Sequence, residues 1–410
     1  MKYVNSLKIM NGFLPAEPAM LSQKRVREMC EAVGRVNLGV RFICLPEGGA
    51  GYACATLLES VISAAGYRVG RITSAFDFSP RESVLVNGAI PSVADFVTAA
   101  NEIKRAAARL DTAPARQEAV FVLGLLLCKM QDCDYVILQG SSGEGYCLDS
   151  VCAPYDLIVL PTVYGSEDVT EQVKPMCEAV RRGTREVVSG NQRSEVYNMI
   201  SNACAMVGVR LYIPMKAQLS VTALSARRLE FNYGGREGYL VKSPSYVMRD
   251  AAITVIESAL AIRRGGVKMP WNSITAGLSA AIGGGCFEQI SISPLIVCDS
   301  ASTPEELELL MKTADEVTGE CDELALCVAC NDPEELERFL NVLEGRRLTS
   351  VTVVSEREVV PKNGVPVCCC SSVREAAERV LAWGECRCFC FGGVAFATAL
   401  KREIVEILNR

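Results

Sequence analysis

Short apolar runs alternate with stretches in which apolar residues recur every three or four positions, and this alternation runs along almost the whole chain. Residues 42–45 (Phe-Ile-Cys-Leu) have the length and character of a buried strand. Glycines follow at 48, 49 and 51, and Leu57, Leu58, Val61 and Ile62 then fall at helical spacing. Upstream, the periodicity predicts a helix over 23–33, with Val26, Met29, Cys30 and Val33 on one face and Gly34 as its stop. Strands are predicted over 67–72 and 82–88, the second ending in an Asn-Gly turn. Ser92, followed three residues on by Asp95, opens a helix that runs to about 110. The helix over 115–130 is apolar nearly all round and is therefore expected to be buried. Strands over 134–139, 156–161, 185–189 and 208–213 alternate with helices over 168–182 and 193–207. That alternation predicts a parallel, doubly wound sheet.

The rhythm changes at 217–241, where alternating Leu219, Val221, Leu224, Leu229 and Phe231 with Gly234-Gly235 predict antiparallel strands. Helices over 247–264 and 272–282 follow, then three glycines and a strand. From 294 a second α/β pattern begins. Strands over 294–298, 323–330, 366–370 and 386–391 alternate with helices whose starts are marked by Thr303-Pro-Glu-Glu306, Asp332-Pro-Glu-Glu335 and Ser372 with Glu375. The expected architecture is α/β. A P-loop-type, doubly wound, mostly parallel sheet occupies 1–292, and a smaller Rossmann-like domain occupies 293–410.

Length agrees with two domains, since 410 residues exceed one typical domain. Half of the residues are hydrophobic and 22% charged, enough to fill large cores. A net charge of −6 without a Lys/Arg block argues against nucleic acid. No apolar run reaches the roughly 18 residues that span a bilayer, and the first residues lack a signal-peptide core, so a cytoplasmic protein without a membrane contact is expected. The 20 cysteines sit mostly inside apolar runs, where free thiols act as small hydrophobes, and this suits a reducing cytosol. There is no histidine, which removes the commonest general base and metal ligand near neutral pH.

Strand, glycine-rich turn and helix over 41–65 have the architecture of a phosphate-binding loop, whose backbone N–H groups and helix N-terminus cradle phosphates. Its chemistry is altered. Ala50 stands where the lysine belongs, and Tyr52 where a Ser or Thr would hold magnesium. Gly48, Gly49 and Gly51 therefore admit two readings: residual binding of a nucleotide or anion by backbone amides, or a tight turn kept for packing. Cys327/Cys330, Cys368–370 and Cys386/Cys388/Cys390 fall near carboxyl ends of strands, but their spacing matches no ferredoxin pattern. Core packing is the favoured reading, with a bound metal or cluster as the alternative.

In this order the elements resemble the Mur ligase superfamily, and folylpolyglutamate synthase/dihydrofolate synthase in particular. Residues 3–7 (Tyr-Val-Asn-Ser-Leu) are similar to that family's Tyr-Leu-x-Ser-Leu, and 45–52 lie where it carries Gly-Thr-Asn-Gly-Lys-Gly-Ser/Thr. Residues 59–71 resemble the helix and strand that follow, 134–139 the strand ending in its glutamate, 293–304 the Asp-x-Ala-His-Asn-Pro segment, and 391–394 the closing Gly-Ser-Leu strand. The resemblance implies ATP-dependent amide ligation, in which a phosphorylated carboxylate is attacked by the amine of glutamate. It also implies which residues are missing. The magnesium-binding glutamate is Gln139, the metal-binding histidine falls near Ser166–Glu167, and the modified lysine near Cys177–Glu178. The arginine of the Gly-Arg-Phe strand is Cys286, and the histidine after the aspartate is Ser302. Asp299 remains, either as a contact to a nucleotide hydroxyl or as a helix-start carboxylate near Thr303.

Phosphoryl transfer is largely positioning and charge neutralisation, and a single lost donor typically costs about 3–4 kcal/mol of transition-state stabilisation. Losing the lysine, the magnesium ligands and the arginine together implies a degenerate P-loop in a pseudoenzyme, with no cofactor and no catalytic residue. Gly48, Gly49, Gly51 and Asp299 are its vestigial nucleotide site. Such a protein acts by binding a protein partner or a small anionic ligand in the interdomain cleft. The alternative is an active acid–amino acid ligase using ATP and magnesium, with Glu144, Glu167 or Asp168 holding the metal.

Overall fold

The computed structural model describes residues 2–409 except 18–19, 47–49, 74–78, 141, 144–145, 166–168, 182, 322, 362–364 and 385. The chain divides into two compact units. One comprises Met1–Val163, Glu167–Leu219 and Asp250–Ala281; the other comprises Tyr164–Ser166, Ser220–Arg249 and Ile282–Arg410.

In the first unit, α1 (Lys2–Asn11) and α2 (Gln23–Ala32) precede β1 (Arg41–Leu45) and α3 (Gly51–Ala64). Next come β2 (Val69–Ile72), β3 (Val84–Val86), α4 (Val93–Ala107), α5 (Arg116–Met130) and β4 (Tyr135–Gln139). Two-residue strands β5 (Ser142–Gly143) and β6 (Tyr146–Cys147) lead to β7 (Leu157–Leu160), α6 (Val169–Ala179), β8 (Glu186–Ser189), α7 (Ser194–Val207) and β9 (Arg210–Tyr212). Seven strands form one sheet in the order β3-β2-β4-β1-β7-β8-β9, and every pairing except β2–β3 is parallel. The central strands are buried, as apolar runs covered by helices on both faces must be. Helix α5 is buried from Gln117 to Cys128, as its apolar circumference requires.

Local signals act where they stand in sequence. Ser22 caps α2 by accepting from Arg25 N, and Ser92 caps α4 by accepting from Asp95 N. Helix α8 (Tyr246–Arg264) contains the division after Arg249, and α9 (Trp271–Ala280) belongs to the first unit. At the crossing of α9 and α3, a β-carbon on Gly277 would lie 2.4 Å from Val61 Cα, so only glycine permits this approach. Ser60 Oγ closes the contact by donating to Gly277 O (2.7 Å).

In the second unit, β10 (Ser220–Ser225), β11 (Arg228–Tyr233) and β12 (Arg236–Val241) form the antiparallel sheet predicted for 217–241. A six-stranded sheet follows, in the order β13-β14-β18-β15-β16-β17. Its strands are β13 (Glu288–Ile292), β14 (Leu295–Cys298), β15 (Glu323–Ala329), β16 (Arg347–Val354), β17 (Val367–Cys370) and β18 (Arg387–Phe391). The covering helices are α10 (Pro304–Thr318), α11 (Pro333–Val342), α12 (Val373–Ala382) and α13 (Val394–Leu408). Thr303, Asp332 and Ser372 accept from Glu306 N, Glu334 N and Glu375 N, so all three predicted helix starts carry their caps. β13 pairs antiparallel with β14, and both belong to the second unit together with Ser220–Arg249. The expected division at 292/293 thus falls between paired strands. β16 adds a strand in a stretch without a predicted one.

The cysteines of this sheet fill its core. Cys298, Cys327, Cys388 and Cys390 are buried with Ala377 and Val380 of α12 and Leu400 and Ile404 of α13. Among the described residues, no group of three or more Cys, Asp or Glu is arranged to hold a metal ion. Nor, among them, is any helix long and apolar enough to cross a membrane.

Candidate functional site

The carboxyl ends of β4, β1 and β7 lie side by side, with Leu45 in register with Gln139. The chain leaves β1 toward β2 on one side, while β7 flanks β1 on the other. Open α/β sheets bind ligands at such a switch in winding. Helix α3 starts here at Gly51, and its N-terminal amides carry partial positive charge. Gly48 and Gly49 lie outside the described residues, as do Glu144, Glu167 and Asp168.

Ala50, buried at the N-cap of α3, offers no side-chain cap, and its N–H donates to Thr162 O (3.3 Å). Gly51 is buried, and a β-carbon added there would meet the side chains of Leu45 (3.3 Å) and Pro161 (3.6 Å). Gln192 pins the segment after β7: its Nε2 donates to Pro161 O (2.7 Å) and its Oε1 accepts from Val163 N (3.0 Å). Two oxygens at these strand ends, Gln139 Oε1 and Thr162 Oγ1, are buried without a hydrogen-bond partner among the described residues.

Tyr52 explains itself through Arg71. The Arg71 guanidinium carbon lies 4.9 Å from the centre of the Tyr52 ring, a cation–π contact. Its Nη1 donates to Thr56 Oγ1 (2.7 Å), and its Nε lies 3.2 Å from Glu59 Oε2. Glu59 Oε1 accepts from Gly88 N. Burial pushes the Glu59 carboxyl above the ordinary range, against the lowering effects of Arg71 and the Gly88 amide. This group of four was not foreseen from the sequence. Its signal was a lone arginine in the buried run Val69-Gly-Arg-Ile72, opposite a lone glutamate on the apolar helix α3.

Asp299, in the second unit, directly follows β14. Its Oδ2 accepts from Phe287 N (2.6 Å) and its Oδ1 from Ala301 N (2.8 Å), so both oxygens tie backbone together. Burial pushes this carboxyl up to about 7, although both amides favour the charged form. Thr303 itself caps α10, so Asp299 is not the capping carboxylate. Cys286 is buried, and burial drives its thiol far above the ordinary value. Ser302 is exposed and bound to Glu306 through its N–H (2.8 Å) and hydroxyl (3.1 Å).

Magnesium and nucleotide phosphates ask for a cation and hard oxygen ligands at the loop. The described residues there offer an alanine, a tyrosine lying under an arginine, and an uncharged amide. They do not fit that group, and the Arg71 guanidinium on Tyr52 is already paired with Glu59.

The chain matches no protein-family model. It is similar to dihydrofolate synthase/folylpolyglutamate synthase of Escherichia coli strain K12, with 29% identity over 277 residues, covering 64% of this chain and 60% of that protein. Its fold is similar to that of folylpolyglutamate synthase from Thermotoga maritima (TM-score 0.80, 17% identity, 98% of this chain and 96% of that one). It is equally similar to the Mycobacterium tuberculosis folylpolyglutamate synthase complexed with ADP (TM-score 0.80, 16% identity, 98% and 99% coverage). The fold is the one these folylpolyglutamate synthases share, the Mur ligase fold expected from the sequence.

Proposed function

We propose that this chain is a folylpolyglutamate synthase-like protein that has lost ligase chemistry and acts by binding a protein partner or a small anionic ligand. The observation that carries this reading is the Tyr52–Arg71–Glu59 group. Where a ligase needs a hydroxyl on magnesium and a free cation on phosphate, this chain has a half-buried ring under an arginine already paired with a carboxylate. Gly48, Gly49, Gly51 and Asp299 are then a vestigial nucleotide site. Calorimetric titration with Mg-ATP and then ADP tests it, beside an assay for ADP release with folate or peptide acceptors and glutamate. The expected result is no magnesium-dependent heat at millimolar nucleotide and no turnover. ADP release dependent on an acceptor would overturn the proposal.

A second reading is an active ATP-dependent ligase with a rebuilt site. What favours it is the pair of unpartnered buried oxygens, Gln139 Oε1 and Thr162 Oγ1, at the carboxyl ends of β4 and β7, the two strands that flank β1. A structure with an ATP analogue and magnesium separates the two, since a carboxylate-bound metal beside ordered phosphates belongs only to the ligase.

A further inference from the structure

Far along the first unit from the loop, two thiols close the end of a helix. After α5 the chain turns through Asp132, whose φ is +50°, and Cys133 N donates back to Cys128 O (3.1 Å). This is a six-to-one helix closure, and the side chains of the two closing residues commonly touch in it. Here both are cysteines. Above them β2 carries Gly70, where an added β-carbon would lie 2.3 Å from the Cys128 sulfur and 3.4 Å from the Cys133 sulfur. The two sulfurs thus gather over one glycine. Cys128 is buried and Cys133 only half-buried, so one thiol meets solvent and the other waits behind it.

We propose that Cys133 is a hydroperoxide-reactive cysteine and that Cys128 is its resolving partner. In the first step the Cys133 thiolate attacks a peroxide oxygen. An S–O bond forms, the O–O bond breaks, and hydroxide or alkoxide leaves; sulfur is oxidised by two electrons and the peroxide reduced. In the second step Cys128, giving up its proton, attacks the sulfenic sulfur. The S–S bond forms, the S–O bond breaks, and water leaves.

The surroundings favour this order. The Cys128 thiol donates to the Cys133 sulfur and holds it below the ordinary thiol range; the exposed Arg68 adds to this, while burial, Asp134 and Asp132 oppose it. The same contact drives Cys128 well upward. By contrast, burial pushes the thiols of Cys30, Cys54 and Cys330 up to about 12, which leaves little thiolate near neutral pH. The alternative is that the two thiols merely pack as small hydrophobes.

The test uses the full chain, reduced and then given one equivalent of hydrogen peroxide at pH 7, with free thiols alkylated and mapped by mass spectrometry over time. A Cys128–Cys133 disulfide is expected before oxidation elsewhere. Cys128→Ala is expected to leave a dimedone-trapped sulfenic acid at Cys133, and Cys133→Ser to slow peroxide consumption by about tenfold or more. If Cys177, Cys368, Cys369 or Cys386 is oxidised as fast as Cys133 in the parent protein, the proposal fails. It fails equally if Cys133→Ser folds and consumes peroxide at the parent rate. The time course in the parent protein needs no variant to fold.

Discussion

The Arg71 guanidinium stands 3.2 Å from the Glu59 carboxylate, with side chains only 3% and 5% exposed. Two charges taken this far from water are tolerable only as a pair, because the desolvation of each must be offset by the other and by further hydrogen bonds. Those bonds are present: Thr56 accepts from the guanidinium, and Glu59 accepts from Gly88 N. The group ties α3, β2 and the turn after β3 together. It also fixes what lies behind the loop, since Tyr52 packs its ring on the same guanidinium.

Breaking that pair should therefore be costly in stability rather than in ligand binding. Arg71→Met is expected to destabilise the first unit by about 3–5 kcal/mol, because it leaves Glu59 buried and unpaired. Arg71→Met with Glu59→Leu should recover much of this. Urea denaturation of the three proteins checks it. An Arg71→Met variant of parent stability would mean that the pair does not exist in solution.

If the backbone cradle survives and only its chemistry is missing, returning the chemistry should return nucleotide binding. Ala50→Lys, Tyr52→Ser and Gln139→Glu together are expected to bind Mg-ATP at least about tenfold tighter than the parent, or about 1.4 kcal/mol. Titration calorimetry reads this directly. A folded triple variant that gains nothing would show that the turn at 48–51 has changed shape as well as residues.

How far the sequence could carry these conclusions depended on distance along the chain. The caps Ser92, Thr303, Asp332 and Ser372 act on amides two or three residues away, so their helix starts were legible. The central strands were legible because burial on both faces demands unbroken apolar runs. β16 was not, since three of the four residues in its Arg-Leu-Thr-Ser start are polar and it lies toward one side of its sheet. The absence of a lysine at Ala50 could be read directly. Arg71 could not, because its partners Tyr52, Thr56 and Glu59 meet it only when β2 folds against α3. Asp299 is similar: a carboxylate after a strand suggests a ligand, and only the fold shows Phe287 N, twelve residues back, holding it.

Gly277 offers a test of the helix crossing behind the loop. Alanine normally stabilises a helix interior over glycine by up to about 1 kcal/mol. Here the new β-carbon would meet Val61 Cα at 2.4 Å and Val61 N at 2.7 Å, both backbone atoms that cannot rotate away. Overpacking of this kind costs about 1–3 kcal/mol and should win. Gly277→Ala is expected to lower the urea midpoint, and a raised midpoint would contradict the close crossing of α3 and α9.

The Asp299 carboxyl gives the second unit a pH dependence of definite sign. In the folded chain burial holds it up to about 7, above an unfolded value of 3.8. Below about 4 both states carry the proton, and this group does not favour either. Between about 4 and 7 the unfolded chain releases the proton while the folded chain keeps it. Stability from this group is thus fully present at low pH and is lost as pH rises toward 7, at no more than about 1.4 kcal/mol per pH unit. Asp299→Asn removes the titration but leaves one of the two amides, Phe287 N or Ala301 N, facing an NH2 group, so it should be less stable than the parent near pH 4. The informative quantity is the difference between parent and variant. It is expected to shrink steadily from pH 4 to 7 in denaturant titrations and then to level off. A difference that grows with pH over that window would mean that the two backbone amides outweigh burial and hold Asp299 ionised throughout.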